Sequence, residues 1–176
     1  MIIYARIKKY TEQLIDIQGR RAVRPSDYAL PDTGRMTMAH DTRELVIDAK
    51  TDNLPQVMEF VDCLLEELQC PMRTQMQVDI AVEEIFVNIA HYAYTPDTGL
   101  ARILVEIRED PVEIRITFED QGIPYNPLAR EDPDVTLSAE KRKIGGLGIF
   151  MTKKAMDDVC YEYRDNKNLL TIIKRI

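Results

Sequence analysis

The sequence predicts an α+β domain, and three observations carry that expectation. Two consecutive stretches between residues 51 and 94 repeat apolar residues at helical spacing, two alternating segments flank Asp110-Pro111, and two β-type runs close the chain around residues 164–168. The 176 residues suit one domain of ordinary size with one core. The division expected is an N-terminal arm over residues 1–40, of unassigned function, and a folded domain over residues 41–176. In the arm Ile3, Ile7, Leu14 and Ile17 allow a short helix, but Gly19, Pro25, Pro31 and Gly34 interrupt it repeatedly.

The domain opens with Leu45-Val46-Ile47-Asp48-Ala49, which reads as a strand. Thr51-Asp52-Asn53 before Pro55 is a helix start with proline just inside it. Val57, Phe60, Val61, Leu64, Leu65 and Leu68 then recur at helical spacing until Cys70-Pro71, where proline cannot continue the helix. Thr74 is expected to open the second helix, which runs without glycine or proline to the 95–99 turn. At about 100° per residue Val78, Val82, Ile85, Ile89 and Ala93 share one face, while Asp79, Glu83 and Tyr94 fall on an arc expected to meet water.

Glu84, Asn88 and His91 form a third row on that helix, at i, i+4 and i+7. The row lies between Ile80 and Val87 on one side and Ala81 and Ile85 on the other. A carboxylate, an amide and an imidazole in apolar surroundings cost free energy unless something satisfies them. The row therefore calls for a ligand, a metal or internal pairing.

Residues 102–108 and 112–120 alternate and read as a hairpin through Asp110-Pro111. Pairing about that turn puts Arg108 opposite Glu113 and Glu106 opposite Arg115, with complementary charge on the outer face. Pro111 favours a four-residue loop over the tightest turn. Val112, Ile114, Ile116 and Phe118 point one way, and by the same parity so does Asp120. A carboxylate on the core side just before Gln121-Gly122 can accept hydrogen bonds from a ligand, or bond its own backbone as turn aspartates do.

Periodicity then disappears from Gly122 to Lys143, a segment holding Pro124, Pro127, Pro133 and Lys141-Arg142-Lys143. A long irregular loop in a compact domain is usually a functional lid or disordered. The segment ends in Gly145-Gly146-Leu147-Gly148, which runs into a helix over residues 149–156. Glycines there allow backbone N–H groups to approach phosphate oxygens at a helix N-terminus, although a tight loop without a ligand has the same composition. Residues 159–163 and 169–176 form the closing hairpin.

Composition narrows the function. The net charge is -7, and no cluster of lysine and arginine is long enough to follow a nucleic-acid backbone. Direct nucleic-acid binding is not expected, whereas a basic protein partner fits. No apolar run spans a bilayer and the start lacks a signal-peptide layout, so the expectation is a cytoplasmic protein away from the membrane. Cys63, Cys70 and Cys160 show no Cys-x-x-Cys spacing, which argues against a disulfide framework or zinc site.

A helix with Glu84 and Asn88, a strand end with Asp120 and a glycine loop preceded by basic residues together suit a nucleotide. Asn88 offers an oxygen for Mg²⁺, which takes oxygen ligands and retains waters and phosphate oxygens. No Gly-x-x-x-x-Gly-Lys-Ser/Thr occurs, which excludes a P-loop, and the His-Arg-Asp and Asp-Phe-Gly signatures of eukaryotic-type kinases are missing.

Glu84-x-x-x-Asn88-x-x-His91, Asp120-x-Gly122-x-Pro124 and Gly145-Gly146-x-Gly148 resemble the N, G1 and G2 boxes of the GHKL ATPase superfamily, in the form found in bacterial anti-sigma-factor serine/threonine kinases. The resemblance covers residues 45–176. His91 stands one position earlier than in that branch's helix motif. It implies a Bergerat ATP-binding fold, an α+β two-layer sandwich whose mixed, mostly antiparallel sheet carries helices on one face, and it implies ATP and Mg²⁺. By position, Glu84 matches the catalytic base, Asn88 the metal ligand, Asp120 the adenine-binding carboxylate and Gly122 the turn beside the base. Gly145, Gly146, Leu147 and Gly148 match the phosphate loop, Thr171 the hydroxyl residue near adenine, and Arg142 and His91 are further nucleotide-binding candidates. The function implied is phosphorylation of a small anti-anti-sigma partner together with sequestration of a sigma factor, by a homodimer. A nucleotide-gated binding module or an ATPase without transfer is the alternative. A two-component catalytic domain ranks below both, because His40 lies in the arm and not on a long helix.

Overall fold

The computed structural model describes residues 41–129 and 147–176. Residues 1–40, the expected arm, and 130–146, most of the segment expected as a lid, lie outside the described residues, and with them Lys141, Arg142, Lys143, Gly145 and Gly146. In chain order the elements are β1 (Asp41–Asp48), α1 (Leu54–Glu67), α2 (Met72–Asn88) continuing into a π-helical turn (Ile89–Ala93), β2 (Leu100–Glu109), β3 (Val112–Asp120), α3 (Leu147–Ala155), β4 (Asp158–Arg164) and β5 (Lys167–Arg175). The strands form one sheet in the order β1-β2-β3-β5-β4. All four described pairings are antiparallel, so the sheet is more regular than a mixed, mostly antiparallel one.

Alternation builds two layers. On β2 Ala101, Ile103, Val105 and Ile107 turn inward, as do Ile114, Ile116 and Phe118 on β3 and Leu170 and Ile172 on β5. They join Val57, Val61 and Leu65 of α1 and Val78, Val82, Ile85 and Phe86 of α2 in one cluster. Each of the larger side chains contributes about 1.5–3 kcal/mol by leaving water. The opposite face is polar, where Arg102 bonds Glu44 and reaches Glu119, which also holds Lys167 at 2.7 Å. The helices thus cover one face of the sheet.

Several boundaries shift for local reasons. α2 starts at Met72 and not at Thr74, because Pro71 is itself extended (φ -57°, ψ 136°) and its carbonyl accepts from Thr74 N–H at 2.8 Å. The β2–β3 register matches the charge pairing, with Glu106 opposite Arg115 and Arg108 opposite Glu113. The turn, however, is two residues rather than four: Asp110-Pro111 joined by a cis peptide, the form in which proline occupies the third position of a tight turn. Asp165 and Asn166 turn the β4–β5 hairpin with φ of 53° and 60°, as a two-residue turn of that hand requires.

Two side chains of α2 leave the places expected for them. Asp79, expected in water, is partly buried beside Asp62 of α1, and its Oδ1 has no hydrogen-bond partner among the described residues. Burial, then the neighbouring carboxylate, pushes it up to about 6. Ile80, expected to wall the polar row, is 52% exposed. Cys63, Cys70 and Cys160 are free. Among the described residues no helix is long and apolar enough to cross a membrane.

Candidate functional site

The site has two ends, and α2 with its π-helical turn runs from one to the other. At the first, Asn88 Nδ2 donates to Glu84 Oε1 at 2.7 Å, one helical turn apart. That bond leaves the Asn88 carbonyl oxygen available to a cation. Gly148, in the first turn of α3, lies against the same carboxylate: a Cβ there would overlap Glu84 Cδ and both of its oxygens. The first-turn N–H groups of a helix have no partners within it and carry partial positive charge, so glycine brings that polarity next to Glu84. Leu147, beside it, is 46% exposed.

The second end is built on β3 and β5. Asp120 is buried, and its Oδ1 accepts from Gly122 N–H at 2.9 Å and from Asn168 Nδ2 at 2.8 Å. Burial raises its pKa above the ordinary carboxylate value, and the bonds from Asn168 and Gly122 act against that rise. The turn aspartate therefore does bond its own backbone, but through one oxygen only. Oδ2 accepts nothing among the described residues.

The π-helical turn links the two ends. A Cβ on Gly122 would overlap the carbonyl of Ala93, which also accepts from Ile123 N–H at 2.8 Å. Tyr94 completes the junction: its hydroxyl donates to the Leu100 carbonyl and accepts from Gln121 N–H at 2.8 Å. A side chain on Gly99 would run into the Tyr94 ring. Tyr94 is thus a structural tether and not part of a wet arc. From Glu84 to Ala93 the helix rises roughly 13 Å at about 1.5 Å per residue, a span suited to a nucleoside triphosphate laid along it.

Two expected site residues stand elsewhere. A π-helical turn inserts one residue into the helical repeat and rotates the residues beyond it, so His91 leaves the row of Glu84 and Asn88. It is exposed, with its ring 5.8 Å from that of Tyr92. Thr171 is corrected by sheet register. It pairs with Thr117, and their hydroxyls lie 2.9 Å apart on the face opposite Asp120.

Asn168 occupies the place beside Asp120 and escapes the sequence reading, because residues 164–168 read as a turn. The two-residue Asp165-Asn166 turn lets β5 begin at Lys167 and sets Asn168 opposite Asp120. Asp-Asn, a pair that tolerates positive φ, is the signal in the sequence that points to it.

The donor set fits a magnesium nucleotide. It offers a free amide oxygen at Asn88, a carboxylate next to it, and a buried carboxylate with one oxygen unused. Among the described residues no three His, Cys, Asp or Glu side chains converge as a metal cage; a Mg²⁺ held by Asn88 would draw its other ligands from phosphate oxygens and water.

Two layers with a fully antiparallel sheet, a helix carrying Glu84 and Asn88, and a glycine packed on that glutamate define the class. Residues 47–174 match the histidine kinase-like ATPase domain, and the chain belongs to that family. The GHKL resemblance read from the three boxes and the expected two-layer fold both hold, and the family implies ATP binding. Among its relatives, serine/threonine-protein kinase BtrW of Bordetella bronchiseptica is 25% identical over 137 residues, covering 78% of this chain and 94% of that protein. Serine-protein kinase RsbW of Listeria monocytogenes serotype 4a is 31% identical over 96 residues, 52% of this chain and 60% of its own. The chain thus spans less than two thirds of the Listeria kinase. The crystal structure of the RsbU and RsbW domains of Rv1364c from Mycobacterium tuberculosis superposes with a TM-score of 0.56 at 14% identity, over 77% of this chain and 32% of that one. That likeness establishes the shared fold.

Proposed function

We propose that this chain is an ATP-dependent protein serine/threonine kinase of the anti-sigma type. The observation that carries the reading is the packing of Gly148 on Glu84 while Glu84 holds Asn88. It sets a carboxylate, an amide oxygen and a helix N-terminus around one point, where a γ-phosphate can lie. Mg²⁺ bound with ATP would neutralise charge that develops on the phosphates. Asn88 contributes an oxygen to that ion. Glu84 takes the proton of an incoming serine hydroxyl as its oxygen bonds the γ-phosphorus, while the bond from that phosphorus to the β,γ-bridging oxygen breaks and ADP leaves with the electron pair. Asp120 accepts from the 6-amino group of adenine, and Gly122 keeps the turn low enough for the base to lie flat. Gly145, Gly146, Leu147 and Gly148 wrap the phosphates, and Arg142 stabilises their charge.

The partners in this reading are a small anti-anti-sigma protein as phosphoacceptor and a sigma factor, bound by a homodimer in the cytoplasm. The box pattern and the kinase relatives support it. The test is incubation with γ-labelled ATP and each candidate antagonist protein. Label on an antagonist serine is the expected result. Antagonist binding or ATP hydrolysis without labelled protein would favour the binding module or ATPase instead.

A further inference from the structure

We infer that Asn168 is a positioning residue that makes the site selective for a 6-amino purine over a 6-oxo purine, by holding Asp120 as a pure hydrogen-bond acceptor. The inference rests on the proposal that Asp120 meets the base of a nucleotide.

Asn168 is 6% exposed, and every polar group of its side chain is engaged. Nδ2 donates to Asp120 Oδ1 at 2.8 Å and to the Ile123 carbonyl at 3.2 Å. Oδ1 accepts from Tyr161 hydroxyl at 2.7 Å and from Tyr125 N–H at 3.1 Å. These four bonds tie the amide to β4, to the chain after β3 and to Asp120, so neither end of the amide can rotate without losing partners. Its donor end is thereby committed to Asp120.

The consequence falls on the other oxygen of Asp120. Two donors on Oδ1 favour the charged carboxylate and leave Oδ2 with acceptor capacity only. An adenine 6-amino group supplies the proton that such an oxygen needs. A hypoxanthine or guanine 6-oxo group presents a second acceptor, which the carboxylate repels. Without Asn168 the buried carboxylate has lost one of the two bonds that oppose its desolvation, and it takes up a proton more readily. A protonated Asp120 donates, and a 6-oxo purine then becomes acceptable. Among the described residues the ionisable groups facing Asp120 are Tyr94, just after the π-helical turn, and Tyr161 from β4. Burial pushes both hydroxyls up from their ordinary values, so both stay neutral near pH 7.

The experiment measures affinity of the whole chain for Mg-ATP and Mg-ITP by titration calorimetry, from roughly pH 6 to pH 8. The parent is expected to prefer ATP by about 10- to 100-fold, the range for one hydrogen bond to a charged acceptor, with little change across that range. Asn168→Ala and the milder Asn168→Ser are expected to cut the preference about tenfold or more, with the loss growing as pH falls. A purely structural role for Asn168 would weaken both nucleotides alike at every pH and leave their ratio unchanged. An unchanged ATP:ITP ratio in both Asn168 variants, or a parent that binds both nucleotides equally, overturns this inference while leaving the nucleotide site intact. A parent that binds neither removes the proposed function and this inference together.

Discussion

The two ends of the site solve the same problem by opposite means. At the Asp120 end a carboxylate is buried at the end of β3, where strand register sets Asn168 opposite it and the following turn brings the Gly122 N–H. At the phosphate end Glu84 is only half-buried, and what arranges it is a helix turn plus a residue with no side chain. The first end is enclosed by paired strands; the second is half-exposed, which suits the proposed role of receiving a phosphoacceptor. The π-helical turn stands between them and lets one helix serve both.

The largest predicted effect therefore lies at Gly148. Gly148→Ala places a methyl group on the Glu84 carboxylate, and either α3 or Glu84 must move. Phosphoryl transfer should fall on the order of 100-fold or more, since misplacement of about 1 Å costs that much, while thermal unfolding changes little; transfer at the parental rate would break the contrast between the ends. Gly122→Ala acts at the other end, against the backbone carbonyl of Ala93, which cannot swing aside as a side chain can. It should destabilise the fold by about 1–3 kcal/mol and weaken ATP binding along with it, as denaturant titration and calorimetry would show.

A smaller effect is expected outside both ends, at Asp79. Its pKa of about 6 lies above the ordinary 3.8 because burial and Asp62 disfavour its charge. Between those values the folded state binds more protons than the unfolded one, so stability falls as pH rises through about 4 to 6 and is not regained above. Asp79→Asn should raise stability at pH 7 by about 1 kcal/mol, after allowance for screening of a group this exposed, and flatten the dependence of Tm on pH. ATP affinity should not change. A variant that tracks the parental pH curve would remove the Asp62–Asp79 pair from the account.

Much of the molecule is legible in the sequence where one periodicity governs. Parity along β3 puts Asp120 on the core side, and charge pairing alone sets the β2–β3 register. The three boxes bring Glu84, Asn88, Gly122 and Gly148 to one family. What escapes depends on a single inserted or deleted residue. A regular helix would carry His91 with Glu84 and Asn88, and the extra residue of the π-helical turn rotates it away. Thr171 and Asn168 exchange roles because residues 164–168 read as a five-residue turn, while register depends on the pairing set by its two central residues. Asp79 belongs in water from α2 alone, whereas its environment is set by α1. Helix wheels and strand parity are local rules, and these four residues answer to neighbouring elements.

The most direct test of the two-ended site is Glu84→Gln, which keeps shape and removes the base. Mg-ATP affinity and phosphoryl transfer to an antagonist serine are measured on the same preparation. The account predicts affinity close to the parental value with transfer reduced about 100- to 10,000-fold, the contribution of a positioned general base. Transfer at the parental rate, or loss of ATP binding together with transfer, would contradict it.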